Sequence, residues 1–80
     1  MTTIKFCNKN TEKTMETPHA FNAVLDKMEE VLPSIETQLS TSIDLVSKDE
    51  TIVVLCDGVW NGLFEFIQEI FAREIKKIKA

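Results

Sequence analysis

The chain has 80 residues, 44% of them hydrophobic and 28% charged, with two Gly, two Pro, two Cys and a formal net charge of −4. Such a composition excludes a disordered or low-complexity chain, and no apolar run approaches the roughly 18 to 20 residues of a membrane-spanning helix. One domain over residues 1–80 is expected, in the cytoplasm, because the start MTTIKFCNKN lacks the basic-then-apolar design of a secretory signal.

A core of this size seldom supplies more than about 3 to 5 kcal/mol. Two Cys cannot form a disulfide-rich scaffold, and no CxxC or HxxxH spacing offers a metal site. Oligomerisation or a protein partner is therefore the expected supplement.

Residues 3–8 alternate, with Ile4 and Phe6 on one face of a predicted strand and Lys5 and Cys7 on the other. The stretch 8–17 is almost wholly polar, with Met15 its only large apolar side chain, and reads as a long loop. Thr17-Pro18 then resembles a helix start, Thr as N-cap and Pro at the first helical position. Phe21, Val24, Leu25, Met28, Val31 and Leu32 recur at three- and four-residue steps and predict an amphipathic helix. Pro33 is expected to end or kink it near Leu32. Ile35 and Leu39 continue the stripe, so a kinked extension to about Leu39 stands as the alternative.

From Ser42 the period falls to two, predicting a strand at about 42–46 and, after the polar stretch Ser47 to Glu50, a second at about 51–56. Ile52 to Leu55 are continuously apolar, as in a central strand covered on both faces or by a partner, whereas the alternating strand reads as an edge. Asp57 is the expected N-cap of a final helix whose apolar face carries Trp60, Leu63, Phe64, Ile67, Ile70, Phe71, Ile75 and Ile78. Phe66 and Val59 widen that arc to about 180°, against the roughly 100° stripe that packing on one sheet requires. Gly62 inside this helix costs about 1 kcal/mol relative to Ala, unless the helix starts near Leu63 or another backbone packs closely there. The expected fold is α+β: a two-layer β-α-β-β-α sandwich, with a three-stranded sheet carrying both helices on one face.

Little in the chain resembles a catalytic constellation. Cys56, ending a strand just before a helix, is placed where a helix dipole can favour a thiolate, although Asp57 opposes ionisation. The bland alternative is a small buried hydrophobe. Cys7 and Cys56 could pair in an oxidising compartment, but the reduced state is expected. His19 has no companion acid, Gly-rich loop or nucleophile elbow. No metal, cofactor, small-molecule substrate or enzymatic activity is expected.

Charge is uneven: residues 1–17 carry +1, residues 18–57 carry −6 and residues 58–80 carry +1. Arg73, Lys76, Lys77 and Lys79 against Glu74 make a basic helix end that complements the macrodipole, while Asp26, Glu29, Glu30 and Glu36 give the first helix an acidic surface. The overall acidity disfavours nucleic-acid binding, which depends on cations displacing counterions.

The stretch Glu65-Phe66-Ile67-Gln68-Glu69-Ile70-Phe71, within a β-α-β-β-α order, loosely resembles the DNA-damage-inducible regulators of bacterial recombinase. These are small acidic proteins with that element order. In that family the final helix is acidic and is thought to mimic a nucleic-acid backbone, whereas here it ends in Lys76, Lys77 and Lys79. The resemblance implies a fold and no function.

The expected function is a non-enzymatic interaction or regulatory module. It would present Trp60, Leu63, Phe66, Ile70, Phe71, Arg73 and Lys77 to a second copy, as a homodimer, or to a heterologous protein. The alternatives are a regulator of a nucleic-acid-processing protein, using the basic helix end or the acidic first helix, and a reactive-cysteine protein using Cys56.

Overall fold

A computed structural model describes residues 1–78. The elements are β1 (Thr2–Cys7), β2 (Glu12–Thr17), α1 (Phe21–Leu39), β3 (Asp44–Lys48), β4 (Thr51–Leu55) and α2 (Asn61–Lys76), and the sheet order is β2-β1-β4-β3. The fold is α+β with both helices on one face of a mixed sheet, but the sheet has four strands, not the expected three. The β-α-β-β-α order, and with it the order implied by the resemblance, is corrected to β-β-α-β-β-α.

The extra strand lies in the polar stretch 8–17. Asn8 folds the chain back: its Oδ1 accepts the N–H groups of Asn10 and Thr11 at 2.9 and 2.8 Å, and its own N–H donates to the Thr11 carbonyl. Side-chain capture of the backbone in this way is how Asn makes turns. β2 then pairs antiparallel with β1 from Thr2↔Thr17 to Cys7↔Glu12. As an edge strand over a helix it needs few apolar side chains, and Met15, opposite Ile4, supplies one. Side-chain burial alone does not reveal such a strand, because its place is set by the backbone ladder, to which Lys, Thr and Glu bring the same N–H and C=O groups as Val.

β1 and β4 pair in parallel at the centre, in register Ile4↔Ile52 and Phe6↔Val54. Ile4, Phe6, Ile52, Val54 and Cys56 point under the helices and are buried. Lys5, Cys7, Val53 and Leu55 point the other way and are only half-buried. β4 is thus central, as its apolar run implied, but covered on one face rather than two. β3, exposed at every residue except Leu45, is an edge.

Both helices start later than the cap residues suggest. Thr17 belongs to β2, where it is 4% exposed and its Oγ1 accepts the His19 N–H, while Thr2 Oγ1 donates to the His19 carbonyl at 2.9 Å. These bonds spend the Thr17-Pro18 signal on the connection, and the N-cap of α1 is Ala20, without a side-chain cap. Asp57 occupies a turn closed by Val59 N–H donating to Cys56 O at 3.2 Å, with Gly58 at φ +83°, a conformation that favours glycine. The N-cap of α2 is Trp60, also without a side-chain cap.

Pro33 does not end α1, which runs on to Leu39. Ile35, 2% exposed, joins the core with Val24 and Met28, so tertiary burial outweighs the local penalty of the imide. Beyond Leu39, Ser40 takes a left-handed conformation with φ 51°, its N–H and that of Thr41 both donating to Glu36 O. Glu36 Oε2 accepts the Ile43 N–H at 2.9 Å. The Glu36 carboxylate, expected on an acidic surface, instead ties α1 to the entry of β3.

The β3–β4 hairpin closes in two residues, Asp49 and Glu50, at φ 49° and 63°. Both central residues at positive φ define the turn whose twist suits a hairpin, and Gly is favoured second. Glu50→Gly is expected to stabilise the fold by about 0.5 to 1 kcal/mol, because the relieved left-handed strain exceeds the added chain entropy. Thermal unfolding followed by circular dichroism checks it; a lowered midpoint would show that the Glu50 side chain contributes more than its backbone strain costs.

Candidate functional site

The flank of α2 that faces α1 carries the site. Ile67, Phe64, Phe71 and Ile75 form the buried stripe on the sheet. At 100° per residue, Phe66, Ile70, Leu63, Arg73 and Lys77 fall together beside that stripe. Against this flank lies α1, and between the helices runs a groove of about 370 Å³ lined by Val31, Ile35, Phe66 and Ile70 and rimmed by Glu30, Ser34, Gln38, Arg73 and Glu74. The neighbouring helix thus covers part of the apolar arc that one sheet could not.

Coverage stops short of Phe66, which is 43% exposed, and of Trp60, which is 71% exposed. Ile70 and Leu63 are half-buried against the core. Trp60 sits ahead of α2 and its ring lies over Gly62, where an added Cβ would fall 2.9 Å from Trp60 Cη2. The glycine is in the first turn of α2, and what approaches it is this ring rather than another backbone.

Phe71 is removed from the site. It is fully buried and stacks tilted against Phe6, the ring centroids 6.0 Å apart. Arg73 is exposed at the groove rim, and Lys77 donates to Glu74 Oε2 at 2.7 Å, a bond that holds the Glu74 carboxyl below its usual range. Exposed pairs of this kind contribute little to stability. Lys79 lies outside the described residues. Of the α1 half of the groove, Ser34 and Gln38 escaped sequence reasoning because the helix–helix pairing is non-local; Val31 and Ile35 were legible only as stripe residues and Glu30 only as part of an acidic surface.

Cys56 is 0% exposed, and burial first, then Cys7 and Asp57, push its thiol up to about 11. The adjoining helix start gives no counterweight, since α2 begins only at Asn61. Cys7 faces the open side of the sheet, opposite Leu55, whereas Cys56 points under the helices. Both are free, and their side chains leave opposite faces. Iodoacetamide at pH 8 should modify native Cys7, and Cys56 only after urea unfolding, as read by mass spectrometry. Because the folded value exceeds the ordinary 9.0, the native state holds the proton more tightly. Stability should therefore fall as pH rises from about 9 to about 11, and Cys56→Ala should flatten that fall.

Among the described residues no three His, Cys, Asp or Glu side chains gather as a metal site would require, and no helix is long and apolar enough to cross a membrane. No family model, curated protein or solved structure matches the chain.

Proposed function

We propose that this chain is a non-enzymatic interaction module that takes an apolar side chain of a protein partner into the groove between α1 and α2, with Phe66 as the central contact and Trp60 as a flanking one. The observation that carries this reading is the exposure of Phe66 at the mouth of an apolar-floored groove. Aromatic anchors within a polar rim are the usual composition of binding hot spots.

Trp60 adds a second reason. An aromatic residue is a poor N-cap, and a Ser, Thr, Asp or Asn there is worth about 1 kcal/mol. A large, exposed aromatic in that position gives the isolated fold neither a cap nor burial, as a residue selected for contact would.

Peptide display against the immobilised protein tests the reading, with Phe66→Glu as parallel target. Peptides with an apolar anchor should be enriched on the wild type and lose at least about tenfold in affinity on the variant, a loss typical of a hot spot. Enrichment that is equal on both, with circular dichroism showing both folded, would overturn the groove as the site. So would the absence of any enriched peptide together with a solution mass unchanged by Phe66→Glu.

A further inference from the structure

The second surface without a partner is the outer edge of the sheet at β3. Glu50 O accepts from Thr3 N–H, and Cys56 N–H donates to Cys7 O, so even-numbered residues of β4 direct their backbone groups to β1. Thr51, Val53 and Leu55 therefore direct theirs to Lys48, Val46 and Asp44 of β3, their register partners. By the same alternation, the N–H and C=O groups of Leu45 and Ser47 point outward from the sheet edge. Among the described residues no backbone group outside the sheet pairs with them; Leu45 is half-buried and every other β3 residue is exposed, and Val46, an apolar side chain on the open face, is 50% exposed. The strand has no proline and no bulge to block pairing.

We propose that two copies of this chain join edge to edge through β3, antiparallel about a two-fold axis at Val46, to form one eight-stranded sheet. The sequence Asp44-Leu45-Val46-Ser47-Lys48 is self-complementary under that operation. Val46 meets its own copy on the open face, Asp44 lies opposite the copy's Lys48, and Lys48 lies opposite its Asp44. The outward groups of Leu45 meet those of the copy's Ser47, and the reverse, completing a main-chain ladder. Among the described residues neither Asp44 nor Lys48 has an ion-pair partner within its own chain. Charge opposite charge across neighbouring strands is attractive, and like charges there are repulsive.

The other edge offers no such complementarity. A two-fold must pair residues of the same face; about Thr14 it would set Glu12 against the copy's Glu16 twice over, and about Met15 it would set Thr14 against Glu16 and Lys13 against Thr17, with no opposite charges facing each other. A two-fold perpendicular to the sheet also keeps both helical layers on one side, so the two α1–α2 grooves face the same way. The pairing does not rest on the groove's function, and its test is separate.

Sedimentation velocity over a wide concentration range, on the full chain, tests it. The wild type should show a concentration-dependent dimer. Ser47→Pro removes an outward N–H that the monomer does not use and should abolish the dimer. Asp44→Lys and Lys48→Asp should each weaken it at least about tenfold, because each places two like-charge pairs at the junction, while D44K/K48D should recover most of the wild-type association. If Ser47→Pro does not fold by circular dichroism, the charge-swap series decides alone. A wild type that stays monomeric, a dimer indifferent to the single charge reversals, or a folded D44K/K48D that fails to recover would overturn the proposal. A dimer lost with Phe66→Glu but kept with Ser47→Pro would place self-association in the groove instead, which overturns the β3 junction and leaves the groove as the site.

Discussion

Phe71→Ala should leave much of the protein unfolded at 25 °C. Phe71 is fully buried between the sheet and the helices and stacks on Phe6, and truncating a core Phe costs about 3 to 5 kcal/mol in lost transfer energy and cavity. A domain of this size has about that much stability in total, so the variant should lack a folded baseline in urea titration followed by circular dichroism. Phe66→Ala is the matched control. Its ring is 43% exposed and sits at the groove mouth, so its loss should cost under about 1 kcal/mol. The contrast separates two aromatic residues of one helix, five positions apart, that sequence reading assigned to the same interface. Equal losses would mean that Phe66 is a core residue and the groove is not a separate surface.

Pro33→Ala should act in the opposite direction and stabilise the fold by about 2 to 3 kcal/mol, since an interior proline removes a helical hydrogen bond and crowds the preceding turn. Pro33 is exposed, so the substitution gives up little buried surface. For a domain of this size that gain raises the thermal midpoint by roughly 10 to 20 °C. Differential scanning calorimetry measures it. No increase would mean that the packing of Ile35 and Leu39 depends on Pro33. In that case Pro33→Ala should also lower the affinity of groove-binding peptides, because Ile35 lines the groove.

The candidate site was half legible before the structure. Phe66, Ile70, Leu63 and Arg73 lie where helical periodicity put them, because the angular position of a residue on a helix follows from its number alone. The same periodicity placed Phe71 and Trp60 on one continuous face and could not tell a ring facing the sheet from one facing water. That distinction comes from where the sheet and α1 lie around α2. Trp60 becomes the N-cap of α2 rather than a residue of its helical face, since Gly58 and Asp57 are consumed in a turn whose closing bond runs back to Cys56.

Local rules were enough for the two amphipathic helices, the central position of β4, the edge position of β3 and the hairpin joining them. Each is written as a repeat of apolar residues or a change of period over a short window, and each survives because tertiary packing uses the same stripe that the sequence displays. The second strand, the continuation of α1 through Pro33 and the capping residues of both helices were decided elsewhere. β2 has one large apolar side chain and owes its place to hydrogen bonds with β1 and to the turn that Asn8 closes. α1 passes Pro33 because Ile35 is buried against the core. Thr17 is diverted from capping by the pairing of β1 with β2 and by its bond with His19. The pairing of β1 with β2 and the burial of Ile35 depend on contacts between separate segments, whose free energy no apolar pattern in a short window contains, and the Asn8 and Thr17 bonds, though local, are made by hydrogen-bonding groups that apolar spacing does not display.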